Sequence, residues 1–396
     1  MLSQSIGTSD KPARNFALDW LRVGAVLLLF PFHTAVIFDI WDAFYVKNNE
    51  LSRALSYSII DLFSPWQMSL LFVLAGGASW YALSFRTGGQ YLSERFKRLF
   101  IPLFFGLVVI VPVQVYYAGF QNPDYNRSFF QFYPSFFTLG PGDLTGFKGN
   151  GFTPGHLWFI LYLFIFSLIA LPLFSWLRRK SGQIFIARLA AICHKPGVIF
   201  LPGVILMLIA ALPLPDMGGK NPFYFFSLLL IGYLLVADSR FSQELERQRW
   251  IALGLAVLTS LGLVMYRLLN LDFSGLSPLS VLHFFLFYFT GWCWVMTFLG
   301  FGQRYLNHNH RALQYLNEAS YPTYILHLPV VVVIGYYVVQ WDLPLLIKFG
   351  LIMVAALAVT YLIFELLVRR FNPVRFLFGM KPRSQKPLKS RVKQLV

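Results

Sequence analysis

Charge is what this chain has least of. Asp, Glu, Lys and Arg together make up 13% of its 396 residues, about half of the ~25% usual in a soluble domain. Acids are scarcer still, 17 against 33 lysines and arginines. Such a composition excludes an ordinary soluble enzyme. Cysteine is nearly missing. Cys193 falls in an expected loop and Cys293 in an expected helix, which argues against a disulfide framework or a thiolate metal site. No glycine-rich phosphate loop, serine nucleophile elbow or metal-ligand spacing occurs, and no metal is expected. A cleavable-leader pattern is also missing, because MLSQSIGTSDKPARNF is polar and the first apolar segment is too long for a signal h-region. No internal repeat of the kind many transporters carry is visible.

Apolar and aromatic residues fill the space. The chain is 57% hydrophobic and 18% aromatic, with 42 phenylalanines. Its apolar runs of about 17–25 residues match the ~30 Å of hydrocarbon that a helix must cross. The expected fold is all-α, a polytopic integral membrane protein with about ten transmembrane helices. These are expected near 17–40, 57–83, 99–118, 156–177, 198–213, 222–237, 250–268, 278–299, 321–340 and 345–368. The fifth and sixth are short and contain or abut Pro and Gly. Residues 1–16 are expected as a cytoplasmic segment, 17–370 as the transmembrane domain and 371–396 as a basic cytoplasmic tail.

A net charge of +16 invites a nucleic-acid reading. The basic residues sit between the apolar runs, however, and point to lipid instead, with no nucleic-acid partner. With the N-terminus in the cytoplasm, the inner segments collect Lys11, Arg14 and Arg22; Arg86, Arg95, Lys97 and Arg98; Arg178 to Lys195; Arg240, Arg247 and Arg249; Arg304 and Arg311; and the whole tail. That is most of the lysine and arginine in the chain. Both termini are therefore expected inside, after an even number of spans. The tail KPRSQKPLKSRVKQLV reads as a disordered, lipid-attracted extension. The longest external loop, about 119–155, is rich in aromatics, Gly and Pro, and long enough to cover or bind something.

Few residues inside the spans can carry chemistry. In ALDWLRVGAVLLLFPFHTAVIF, Arg22 and His33 are eleven residues apart. That is about three helical turns, so both share one face, ~16 Å apart along the axis. Ionisable groups inside a membrane are costly and usually line a polar path. The plainer alternatives are an arginine snorkelling to headgroups and a histidine that only packs. Pro31 loosens the helix just before His33. Arg95 and Arg98 form R-x-x-R on one helical face at the inner entrance of the third span. The guanidinium fork suits phosphate, although a positive-inside anchor explains the same pair. His156 opens the fourth span at its outer end, beside Trp158. Tyr324 and His327, three apart, are expected near the inner end of the ninth span. His194, His308 and His310 read as solvated, His283 as lining or packing, and Glu365 as pairing with Arg369.

Taken in order, these pieces resemble the membrane-bound acyltransferase-3 family. The resemblance rests on Arg22 and His33 in LDWLRVGAVLLLFPFH, FVLAG in LFVLAGGASWYAL, Arg95 and Arg98, and YILHLP at 324–329, and covers about residues 15–370. PFHTAVIF and HLWFILYL look most like the members that succinylate periplasmic glucans. The separate extracytoplasmic domain that some O-antigen-modifying relatives append is not expected here.

The resemblance implies an O-acyltransferase of the inner membrane, with 17–370 as the acyltransferase domain. It would move an acetyl or succinyl group from cytoplasmic acyl-CoA, a co-substrate rather than a bound cofactor, to a hydroxyl of an extracytoplasmic carbohydrate. Arg22, Arg95 and Arg98 would hold the phosphates of acyl-CoA. His33 would act as general base, with an acyl-histidine intermediate as the less favoured variant. Asp19 would orient Arg22, His156 would meet the acceptor at the outer mouth, and Tyr324 and His327 would orient or line the cavity. Lipid is the other partner, and the oligomeric state stays open. The rival readings are a transporter or flippase for a glycan, lipid or organic acid, which needs no CoA, and a non-catalytic assembly partner, in which His33 would affect stability alone.

Overall fold

The structure, a computed structural model, describes residues 14–41, 43–138, 152–212, 218–269 and 277–383. Most of the expected N-terminal segment, the middle of the external loop and the tail beyond 383 lie outside the described residues. Among the described residues every regular element is helical. Among the same residues, eight helices are long and apolar enough to cross a membrane, or up to ten if each of two bent pairs counts as one span.

The first span, Phe16–Ile37, consists of α1 (Phe16–Leu27) and α2 (Leu29–Ile37). Asn15 starts it by accepting from the Ala17 amide, which satisfies one of the free donors of a helix start. The break at Leu28 comes three residues before Pro31, whose missing N–H leaves a carbonyl one turn back without its helical donor. The second span, Arg53–Ser84, ends in α3 (Gln67–Ser84). The third, Gly88–Gly119, opens with α4 (Gly88–Arg95) under a Thr87–Gln90 capping box and closes with α5 (Val111–Gly119). Between them lie two π turns, Phe96–Phe100 and Gly106–Ile110, each followed within two residues by a proline. The fourth span, Gly155–Leu177, is a 3₁₀ turn running into α6 (Trp158–Leu177).

The expected fifth and sixth spans are both helical, and each forms one arm of a bent helix pair. α7 (Lys180–Cys193) and the Val198–Ala211 segment, which carries α8 (Leu201–Ala211), meet at 114°. α9 (Pro222–Ala237) and α10 (Ser239–Arg247) meet at 100°. Residues 180–193, expected as a connection, are helical, and Cys193 ends that helix rather than lying in a loop. Both cysteines are free. The four remaining long helices follow the expected order: α11 (Arg249–Leu268), α12 (Pro278–Tyr305), α13 (Arg311–Val338) and α14 (Leu345–Ile363).

Backbones approach most closely between α3 and α9. A Cβ on Gly76 would run into the Leu229 carbonyl, and one on Gly232 into the Val73 carbonyl. Small residues permit such contact where lipid supplies no hydrophobic drive between helices. Large apolar side chains face outward instead, including Phe104, Ile169, Leu258 and Leu346, as a lipid-bathed surface requires. The polar side chains Thr34, Gln114, His156, Thr323 and His327 are buried inside.

Candidate active site

α13 organises the site. It packs along both α1 and α2, and it meets the first span at two heights. At the lower one, the half-buried Arg22 donates to Asn317 at 3.3 Å. At the upper one, the rings of His33 and His327 lie 5.1 Å apart. The sequence order is the same on both helices, so the two spans run parallel and Arg22 and His33 face the same neighbour, as their spacing predicts.

Asp19 is buried and bridges two arginines, Arg14 at 2.6 Å and Arg22 at 3.1 Å. On the third span the R-x-x-R pair separates. A π turn begins at Phe96, immediately after Arg95, and the two guanidinia go to different partners. Arg95 donates to Ser79 Oγ of α3 at 3.2 Å and lies over the Tyr91 ring at 4.6 Å. Arg98 pairs with Glu94 at 3.1 Å, which also holds Arg86 at 2.8 Å.

Around His33, three imidazoles converge. His327 is fully buried, its ring 5.1 Å from that of His33 and 5.2 Å from that of His156. Its Nδ1 donates to the Tyr324 carbonyl one turn back at 2.6 Å. His156, in the 3₁₀ turn before α6, is also buried and donates from Nε2 to the Ile325 carbonyl at 2.9 Å. That carbonyl is free because Pro329, four residues on, has no N–H to offer it. The Tyr324 hydroxyl donates back to the His156 carbonyl. Among the described residues no group of three His, Cys, Asp or Glu side chains is disposed to hold a metal.

Two expectations about depth are thereby corrected. Tyr324 and His327 do not sit near the inner end of their helix, and His156 does not sit at an open outer mouth. α13 starts ten residues earlier than the expected ninth span, which moves His327 past its middle to the level of His33. His156 is drawn inward by its bond to Ile325.

The loop after α2 folds back over this cluster. Phe44 stacks on His33 with the rings 6.1 Å apart and planes at 9°. Tyr45 accepts from Gln114 Nε2 at 2.9 Å in a fully buried contact. Gly155, at φ +51°, is needed there, since a Cβ would run into the Gln114 amide with Tyr45 Oη 3.3 Å away. Elsewhere, His194 meets Glu244 at 3.2 Å, and Glu365 pairs with Arg369 at 2.9 Å as expected. His308 and His310 are exposed.

A family described as an acyltransferase domain, Acyl_transf_3, matches residues 15–365. The chain belongs to this family. The acyltransferase is similar to Glucans biosynthesis protein C of Salmonella heidelberg and of Salmonella typhi. Each is 22% identical over 387 residues, covering 94% of this chain and 97% of the relative. No solved structure matches it.

Sequence reasoning missed several residues of this candidate site. Phe44, Tyr45, Gln114, Ser79, Tyr91 and Asn317 all touch the residues that were singled out or their immediate neighbours. Gln114 carried a readable signal, as a lone amide in the apolar run VPVQV. Phe44 and Tyr45 carried none, because aromatic residues outside a span are ordinary interface anchors.

Proposed function

We propose that this acyltransferase sits in the cell's inner membrane and moves an acetyl or succinyl group from cytoplasmic acyl-CoA to a carbohydrate hydroxyl outside. A periplasmic glucan is the acceptor that the name of its relatives favours. The observation that carries the reading is the two-level contact of the first span with α13, guanidinium at one level and clustered imidazoles at the other. Arg22, Arg95 and Arg98 hold the phosphates of the donor, with Arg22 oriented by Asp19. The pantetheine arm spans the ~16 Å between the levels and brings the thioester to His33.

Neutral His33 takes the hydroxyl proton as general base, a contribution typically worth 10²–10⁴-fold. The acceptor oxygen bonds to the thioester carbon, the carbon–sulfur bond breaks, and the proton passes from His33 to the departing thiolate. His156, Tyr324 and His327 line and orient this end. An acyl-histidine intermediate is the less favoured route.

The test is the thermal stability of the purified protein with acetyl-CoA and with succinyl-CoA, on wild type, Arg95→Ala and His33→Ala, beside a transfer assay. A ligand of the native state raises stability by mass action. One ester should stabilise wild type and His33→Ala but not Arg95→Ala, and His33→Ala should bind without transferring. If neither ester shifts the wild type at millimolar concentration, the CoA donor is wrong.

A further inference from the structure

One side of α13 joins the lower level of the site to the upper. Asn317, Tyr321, Tyr324 and His327 follow one another at steps of four, three and three residues, which places them on the same side of a helix. Asn317 accepts from Arg22 at the lower level. His327 lies against His33 at the upper level, and the Tyr324 hydroxyl just below it donates to the His156 carbonyl. Tyr321 stands between, ~6 Å above Asn317 and ~9 Å below His327 along the axis.

Tyr321 differs from the residues on either side of it. Its hydroxyl oxygen is buried and, among the described residues, has no hydrogen-bond partner. A buried polar group left unsatisfied is costly, and each such group in a folded protein calls for an explanation. The ring itself is wedged in place. A Cβ on Gly379, at φ +66°, would stand 3.0 Å from Tyr321 Cε1 and 2.8 Å from the Arg98 carbonyl. The turn at Gly379 therefore holds the Tyr321 ring beside the third span, at the level of the R-x-x-R segment. A phenol has one hydrogen to give. What completes this position is an acceptor, and a neutral one suits a depth where added charge is costly.

The pantetheine arm of acyl-CoA carries amide groups between its phosphates and its thioester. An arm that runs from Arg22 to His33 along α13 must pass Tyr321. We infer that Tyr321 is a donor-binding residue: its hydroxyl gives a hydrogen bond to an amide carbonyl of the pantetheine arm, midway between the arginines and the imidazoles. This rests on acyl-CoA being the donor. A lipid tail in the same path offers no acceptor, so it would leave the hydroxyl unsatisfied, and the site discriminates against it.

The test uses the full-length protein in lipid, with Tyr321→Phe, which deletes the hydroxyl and keeps the ring, and Arg95→Ala beside it. Without ligand, Tyr321→Phe should melt at or above the wild-type temperature, because an unsatisfied group has been removed. Its affinity for acyl-CoA, read by titration, should fall about three- to tenfold. Its affinity for phosphoadenosine diphosphate, the nucleotide end of the donor without the arm, should stay at the wild-type value. Arg95→Ala should weaken both ligands. Unchanged affinity for acyl-CoA in Tyr321→Phe overturns the inference and leaves the donor reading intact. So does an equal loss for both ligands, which would put the hydroxyl on a phosphate, or a lower melting temperature without ligand, which would make its bond structural. If wild type binds no CoA ester at all, the donor reading fails and this inference falls with it.

Discussion

His156 Nε2 is hydrogen-bonded to the carbonyl of Ile325, 169 residues away in sequence, at 2.9 Å. The bond exists because Pro329 leaves that carbonyl without a helical donor. The same device recurs on the third span, where Pro112 frees the Val108 carbonyl and the Tyr133 hydroxyl donates to it at 3.0 Å. Prolines in membrane helices are tolerated when a neighbour satisfies the released group. In this protein the neighbours that do so at these two prolines are His156 and Tyr133.

Pro329→Ala should separate stability from turnover. The new N–H competes with His156 for Ile325, while an interior proline costs a helix ~3 kcal/mol relative to alanine. The melting temperature should hold or rise while kcat falls about tenfold, which a melt and a transfer assay on the same preparation would check. Unchanged kcat would mean that the orientation of His156 is irrelevant to transfer.

Arg95 and Arg98 should not be equal. Arg95 is tied to neutral partners, Ser79 and the Tyr91 ring, and keeps its full charge for a ligand. Arg98 is already paired with Glu94. A hydrogen bond to a charged group is worth about 1.5–3 kcal/mol. Arg95→Ala should therefore raise KM for the donor by ten-fold or more, and Arg98→Ala by less. Donor titrations of the two variants give the ranking directly.

The α3–α9 contact predicts a stability defect remote from the chemistry. Gly232→Ala would push a methyl against the Val73 backbone, and overpacking of this kind costs about 1–3 kcal/mol. The variant should melt several degrees lower in detergent. Its donor KM should stay unchanged, because neither glycine touches the arginines or histidines.

Beyond His33, Lys47 holds the buried carboxylate of Asp39 and also donates to the Val36 carbonyl at 3.0 Å. Removing one partner of a buried pair costs about 3–5 kcal/mol. Lys47→Met should lower the melting temperature strongly, and Lys47→Met with Asp39→Asn should recover part of it. A double variant no better than the single one would show that the ion pair is not what stabilises this turn.

Much of this molecule is legible in one dimension. Composition and run length determine an all-helical membrane protein, because no other structure satisfies its own backbone in hydrocarbon while needing only apolar side chains. Eleven-residue spacing determines that Arg22 and His33 share a face, because helical period is a local property. Pairs such as Glu365 and Arg369 follow from the same rule. Depth and partnership do not. His327 was expected near a helix end and His156 at a mouth, yet His327 lies against His33 and His156 against His327. How far α13 extends, where it stands beside the first span, and which side chain claims the carbonyl released by Pro329 all depend on packing between distant segments. The short fifth and sixth runs each join a second helix at a sharp bend, and α9 meets α3 through glycine contacts that no periodicity records. Residue type and face belong to the chain, whereas the carbonyl that fixes the His156 tautomer is supplied by a helix that only tertiary structure places beside it.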